Sequence, residues 1–231
     1  MKIGIVGTGN MGKVIGLTLA QQGHSVFFGA RNLSKVASLA KDYELNLQYG
    51  TNQDAANHGE VVYYNPRDVA PGEVLVDTTV LNGKPVICSH NSAVPFDFNF
   101  DPVTFSKAEI LQSQIPGAHV VTAFNTVTQE TFELSGRGLR ELNIACLVAS
   151  NDRQSKEVVS SLVEQIGFKA IDCGELRQSR LIESAANLVR MLMYKEQTPW
   201  KGLSFMSLPE VPQLLGGRIA STLHNHNLNK T

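Results

Sequence analysis

An α/β fold built on a doubly wound parallel sheet, with a helical extension at its C-terminal end, is predicted by three features of the 231-residue chain. Short β-rich runs alternate with helix-compatible stretches as far as residue 172, the order that a parallel sheet with helices on both faces requires. The opening unit packs a strand, a glycine turn, a helix and a second strand into about thirty residues, the size of one βαβ unit. An amphipathic run over residues 176–196 then follows the last predicted strand.

The elements follow in order. Ile3, Ile5 and Val6 form a strand directly before Gly7-Thr8-Gly9-Asn10-Met11-Gly12. Val14, Leu17, Leu19 and Ala20 supply a helix that Gly23 stops. Residues 25–28 form the second strand, which ends in Gly29-Ala30-Arg31, and Asn32 or Ser34 can cap the helix carrying Val36, Ala37, Leu39 and Ala40. Residues 45–50 read as a short strand, 52–56 as a short helix and 60–64 as a strand closed by Asn65-Pro66. Pro71-Gly72 reads as a turn and residues 74–78 as the next strand. A crossover in a parallel sheet usually takes at least about ten to twelve residues. The connection between these two strands is therefore expected to be cut short, with an open cleft beside it. Residues 91–102 hold Pro95, Pro102 and the phenylalanines Phe96, Phe98 and Phe100, which suits either a flap on the substrate side or an apolar packing loop. A helix over 106–115, a strand over 119–124 and a strand–helix–strand unit (143–149, 152–166, 169–172) complete the sheet. The final helix carries Leu181, Ala185, Leu188 and Leu192 on one stripe, which suits a core or a homodimer contact. The tail from Pro209 onward is weakly patterned. The expected division is residues 1–172 as a Rossmann-type domain and 173–231 as a helical extension packed on it.

Composition narrows the function classes. With 42% apolar and 18% charged residues the chain suits a soluble globular protein, and its net charge of −1 argues against a nucleic-acid or anionic-membrane binder. No apolar run approaches the roughly 18 residues that span a bilayer, and the N-terminal run enters the glycine turn directly, unlike a signal peptide. Cys88, Cys146 and Cys173 form neither a metal pattern nor an even disulfide set, so reduced thiols in the cytoplasm are expected.

The glycine turn carries the first chemistry. Gly7 permits the tight turn, Gly9 lets backbone approach a pyrophosphate, and Gly12 lets the helix pack close to its strand. Dinucleotide sites that read an unmodified ribose usually end the second strand in Asp or Glu. Here the position holds Arg31, whose guanidinium can clamp a 2′-phosphate that a carboxylate would repel. Lys35, about one helical turn later, can share it. The cofactor expected is NADP. Ligands of such sheets lie outside the carboxyl ends of the strands, which nominates Thr8, Gly9, Asn10, Met11, Arg31, Asn65, Pro66, Thr78, Thr79, Ala123, Asn125 and Thr126. No nucleophile or acid–base dyad emerges. His24 falls in a turn far from the strand ends, His90 precedes a loop, and His224 and His226 lie in the tail without the other ligands a metal would need. Hydride transfer between two bound cofactors asks for orientation more than for a protein acid.

Four segments together carry a resemblance: residues 7–12, Gly29-Ala30-Arg31 with Lys35, Ala123-Phe124-Asn125-Thr126, and Asp172-Cys173-Gly174-Glu175-Leu176 followed by Ser179-Arg180-Leu181-Ile182-Glu183. Over residues 1–196 the chain resembles the deazaflavin-dependent NADP reductase family and, more distantly, the NADPH-binding domain of ferric reductases. The resemblance implies hydride transfer between NADPH and a deazaflavin, a flavin or a similar small redox acceptor. It implies Thr8, Gly9, Asn10 and Met11 at the pyrophosphate, Arg31 and Lys35 at the 2′-phosphate, and Ala123 beside the nicotinamide. Two departures are visible: Ala30 replaces a Ser or Thr that the family often carries, and residues 65–74 are shorter than the family pattern. Two other readings stand beside it. One is a reductase of small imines or carbonyls, with His90, Tyr63 or Tyr64 as proton donor. The other is a module that senses NADPH without turning it over.

Overall fold

The computed structural model describes residues 1–32 and 47–206. Lys35, the helix expected around it and the tail from Pro209 lie outside the described residues. Six strands form the main sheet: β1 (Lys2–Val6), β2 (Ser25–Gly29), β3 (Gln48–Gly50), β4 (Val61–Tyr64), β5 (Pro85–Cys88) and β6 (His119–Thr122). They lie in the order β3-β2-β1-β4-β5-β6, and every neighbouring pair is parallel. The chain order reverses beside β1, so the crevice outside the carboxyl ends of β1 and β4 is where a ligand belongs.

Helices cover both faces, which is why the central strands are apolar along their whole length. In β4, Val61 and Tyr63 join the core that α1 (Asn10–Gln21) covers with Ile15 and Leu19. Val62 and Tyr64 join the opposite core, with Ala55 and Ala56 of α2 (Asn52–His58). A Cβ on Gly4 would lie 2.0 Å from the Ala55 carbonyl oxygen, so α2 can sit this close to β1 only over a glycine.

The strand expected over residues 74–78 does not form. Pro71 opens a helical turn, α3 (Pro71–Val74), in which the Glu73 side chain accepts the Ala70 N–H at 3.0 Å. Asp77 then accepts the Thr79 N–H at 2.8 Å and starts a 3-10 turn, Thr78–Leu81. These local bonds outcompete the β-rich composition, and Val76 is left 96% exposed. β5 begins only at Pro85, so the crossover from β4 runs through residues 65–84 and is of full length. The shortened connection read from the sequence is therefore corrected.

After β6, α4 (Lys107–Gln114) having preceded it, come a short helix α5 (Gly136–Glu141), β7 (Ala145–Val148), α6 (Arg153–Ile166) and β8 (Lys169–Asp172). β7 and β8 pair in parallel as a second, two-stranded sheet instead of extending the first. They meet β6 through an antiparallel bridge in which Thr122 and Ala149 exchange N–H···O bonds of 2.9 and 3.2 Å.

The last helix, α7 (Ser179–Lys195), turns the expected stripe outward. Leu181, Leu188 and Leu192 are exposed, while Ile182, Glu183, Ala186, Asn187 and Val189 are buried. The helix docks on the N-terminus of α4. The Ser106 and Ser179 hydroxyls lie 2.6 Å apart, the Lys107 N–H donates to Glu183 at 2.7 Å, and Arg180 donates twice to Glu109, at 2.8 and 2.6 Å. Residues 91–102 form an irregular loop strapped to α7, with the Phe98 ring 6.5 Å from that of Tyr194 and Lys195 over its face.

Candidate functional site

The glycine turn is braced from three sides. Gly7, at φ +83°, donates its N–H to Gly29 O at 3.2 Å and to Asn52 Oδ1 at 3.0 Å. Thr8 Oγ1 donates to the same Gly29 carbonyl at 3.0 Å, and Asn65 Nδ2 donates to Gly7 O at 2.9 Å. A Cβ on Gly12 would lie 2.6 Å from that Gly7 oxygen, and one on Gly9 2.7 Å from Asn65 Nδ2. Lys13 donates the first helical bond, to Gly9 O at 2.8 Å. The amides of Asn10, Met11 and Gly12 therefore precede the closed ladder. Gly9 brings no capping side chain to them, and the first turn holds no acidic residue. The positive end of α1 is thus left for an anion from outside the chain.

Two hollows meet at this turn, sharing Gly9, Asn65 and Arg67. The first, about 610 Å³, runs past Thr8, Ala30, Arg31, Asn32 and Pro66. The second, about 450 Å³, runs from Asn10 and Met11 past His90, Asn125 and Thr126 to Arg190 on α7. Four of the residues that line it hold a buried polar atom with no partner among the described residues: His90 Nε2, Asn125 Oδ1, Thr126 Oγ1 and Arg190 Nε. Such atoms are costly unless a ligand or water completes them. The Asn125 amide is oriented by its other end, since Nδ2 donates to His90 O at 2.8 Å and to Asn91 Oδ1 at 3.3 Å. Burial holds the His90 imidazole down at about 4, so it is neutral at physiological pH, with one ring nitrogen bonded to the Asn65 backbone.

Most of the residues nominated from the sequence converge here. Gly7, Thr8, Gly9, Asn10, Met11, Arg31, Asn65, Pro66 and Asn125 all line one hollow or the other. Two do not. Thr78 follows no strand; it opens the 3-10 turn that leads to the amino end of β5 and lines neither hollow. Ala123 is fully buried in the core, its N–H bonded to Cys88 O at 3.2 Å, and Phe124 at φ +65° turns the chain so that Asn125 and Thr126 face the hollow instead. The phenols proposed as proton donors are engaged elsewhere. Tyr63 is completely buried with its hydroxyl 2.5 Å from Ser89 Oγ, Tyr64 donates to Val69 O at 2.7 Å, and burial raises both. Neither tyrosine lines the second hollow. Burial also pushes the Cys88 and Cys146 thiols up to about 12, which leaves them unreactive.

Comparison with known proteins agrees with this geometry. Residues 2–87 match the family model described as NADP oxidoreductase, coenzyme F420-dependent. The F420-dependent NADP reductase of Methanothermobacter marburgensis is 30% identical over 91% of this chain and 100% of its own length. The chain belongs to the F420-dependent NADP reductase family. The crystal structure of a candidate F420-dependent NADP-reductase from Arthrobacter sp. FB24 superposes with a TM-score of 0.77 at 22% identity, covering 90% of this chain and all of that one. Metalloreductase STEAP3 of Rattus norvegicus is 26% identical over 79% of this chain and 36% of its own length.

For a member of the F420-dependent NADP reductase family, the sequence reading had one blind side. Asn52, Arg67 and Arg190 come to the site from a helix start, a loop and the last helix. Asn52 carries the signal of a helix N-terminus, and Arg67 follows a nominated pair directly. Arg190 could have been found as a cation on the inward stripe of α7, three residues after Asn187 and seven after Glu183.

Proposed function

We propose that the protein transfers hydride between NADPH and a deazaflavin such as coenzyme F420. The observation that carries this reading is the pair of joined hollows. One is equipped for phosphate and ribose, and the other, whose lining residues hold unpaired polar atoms, has room for a ring system beyond the nicotinamide. In this reading the amides of Asn10 and Met11, with Thr8 and Gly9, hold the pyrophosphate. Arg31 and Lys35 hold the 2′-phosphate, and Asn65 and Pro66 border the path between the hollows. Asn125 Oδ1 accepts from the nicotinamide carboxamide or from a hydroxyl of its ribose. The two cofactors supply the hydride and its acceptor, so the chain needs no acid of its own. Its residues contribute orientation: the neutral His90, with one nitrogen fixed on the Asn65 backbone, offers the other to whatever sits above it.

The same reading makes residues 173–231 an extension that closes the acceptor side, since α7 brings Val189, Arg190 and Met193 to the second hollow. It makes the exposed leucines of α7 a homodimer contact. Among the described residues no helix is long and apolar enough to cross a membrane. With its three free thiols, two of them buried, the protein suits the cytoplasm.

Single-turnover mixing of NADPH with F420, followed by the loss of NADPH absorbance, tests the proposal. Oxidation with matching F420 reduction is expected. Tight NADPH binding without oxidation by F420 or by a flavin would establish the sensing module instead.

A further inference from the structure

The carboxyl ends of four neighbouring strands are stitched together by side chains. Gly7 directly follows β1, Asn65 directly follows β4, His90 lies two residues beyond β5 and Asn125 three beyond β6. That is also the order of those strands in the sheet. Asn65 Nδ2 donates to Gly7 O at 2.9 Å, and Asn125 Nδ2 donates to His90 O at 2.8 Å. Between them the His90 ring donates to the Asn65 backbone carbonyl through Nδ1, since its Nε2 has no partner. Each link has the same form: a side-chain donor at one strand's exit and the backbone carbonyl at the exit of the strand beside it. A carbonyl can only accept, which fixes the orientation of both amides and the tautomer of the imidazole. The last link is doubled, because Asn91 Nδ2 donates to Asn125 O at 2.9 Å and Asn91 Oδ1 lies 3.3 Å from Asn125 Nδ2. Phe124 holds a left-handed conformation (φ +65°) that bulky residues rarely adopt, and this brings Asn125 into line. At the usual strand spacing the whole line spans roughly 14 Å.

This line joins the two hollows. Gly7 borders the first, Asn65 borders both, and His90 and Asn125 border the second. Its first link bears on the anion site at the start of α1. Gly7 O accepts from Asn65 and, at 3.0 Å, from the Gly9 N–H, so both of its lone pairs are engaged within the chain. Asn65 also stands over the turn, where a Cβ on Gly9 would lie 2.7 Å and one on Gly12 3.3 Å from Nδ2. The far links are buried, with His90 8% and Asn125 5% exposed, so a bond lost there is not replaced by bulk water. We propose that Asn65 and His90 are positioning residues that carry the setting of the glycine turn across the sheet to Asn125, and so hold the pyrophosphate site and the ring end of NADPH in register. Neither has to touch the reacting atoms to do this. The proposal rests on the hydride-transfer reading for the place of NADPH, but its test reads binding.

The full-length protein is titrated in a calorimeter with NADPH and with 2′-phospho-ADP-ribose, the same nucleotide without its nicotinamide. The ratio of the two affinities measures what the ring end draws from the second hollow. The wild type is expected to bind NADPH about tenfold more tightly, the size of one or two hydrogen bonds. Asn65→Leu keeps the shape of the side chain without its donor. It should weaken both nucleotides and also bring the ratio down to about three. A residue that only shaped the glycine turn would weaken both equally and leave the ratio alone. His90→Phe keeps a ring without the N–H and should lower the ratio likewise. His90→Asn, whose amide nitrogen can stand where Nδ1 does, should keep most of it. The variant combining Asn65→Leu with His90→Phe should stay at about three, since a line broken once loses little when broken again; independent losses would take it to about one. Where Asn65→Leu fails to fold, Asn65→Ser, too short to reach Gly7 O, is expected to shift the ratio in the same way. A wild-type ratio near one overturns the proposal, as does a ratio that survives Asn65→Leu or losses that add in the combined variant. The expected ratios without NADPH oxidation by F420 would refute hydride transfer and leave the positioning role standing.

Discussion

Arg31 shows how far a single residue can be read. It stands exposed beyond the carboxyl end of β2, on the hollow that begins at the glycine turn, as the sequence placed it. In the proposed reading its guanidinium would hold a 2′-phosphate by bonds worth roughly 1.5–3 kcal/mol each. Arg31→Ala is therefore expected to weaken NADPH by about ten- to a hundredfold while leaving NADH nearly unchanged, as measured by fluorescence titration of the two cofactors. An equal loss for both would mean that Arg31 serves the shared adenosine and not the phosphate. The place of such residues was legible because strand, turn and hollow lie within a few residues of each other. The places of Thr78 and Ala123 were not, for opposite reasons. Thr78 was placed by a strand that Pro71 and Asp77 replace with turns, and Ala123 lies one residue before the chain turns at Phe124. Arg190 carried a sequence signal only as a cation on the inward stripe of α7, and it is the fold that brings that stripe to the hollow beyond β4–β6.

At the level of elements, hydrophobic periodicity located most strands, but it placed one at 74–78 that does not form, missed β5 and misjudged one helix face. The leucines of α7 form the more obvious stripe, yet the buried side is the one bearing Ile182, Ala186 and Val189 beside Glu183 and Asn187. Polar residues are tolerated inward because α4 offers partners: its first amides meet Glu183, and Glu109 meets Arg180. The Arg180-Leu-Ile-Glu183 segment of the family resemblance is thus a docking device for α7. Burial works against ionised Glu109, but the bonds from Arg180 and Ser106 outweigh it and hold that carboxyl at about 2. Glu183 goes the other way, because burial outweighs its backbone donors and raises it to about 7. A carboxyl whose folded pKa lies above its unfolded value favours folding when protonated. That contribution is complete below about 4.3 and is lost as the pH rises through about 7. Glu183→Gln keeps an acceptor for the α4 amides without the charge. The wild type should therefore fall behind this variant in thermal midpoint at pH 8 and recover against it by pH 5. A midpoint difference that stays constant from pH 5 to 8 would show that Glu183 keeps one charge state throughout.

Across the whole molecule, the division of labour between the two hollows follows chain distance. The hollow beside Arg31 starts from the first βαβ unit, readable as a local motif, and is completed by Asn52 and residues after β4. The other hollow draws on the ends of β4, β5 and β6 and on α7, and depends on the complete fold. The helix that completes it also turns Leu181, Leu188 and Leu192 to solvent, at 69%, 51% and 37% exposure, on a stripe with no partner within the described chain. Leucines seven and four residues apart on one helix suit self-complementary packing against a second copy about a two-fold axis. Each would be worth roughly 1.5–3 kcal/mol if fully buried, enough for three per protomer to matter. Sedimentation of the wild type is expected to show a dimer at micromolar concentration, and Leu188→Glu, which would set like charges face to face, a monomer. Arg190 and the hollow it lines lie on the inward side of the same helix, so the monomeric variant should still bind NADPH. Its affinity for the acceptor should drop only as far as α7 depends on its twin for rigidity. A wild type that sediments as a monomer at every concentration would leave these leucines as isolated surface apolar groups and remove the dimer from the functional picture.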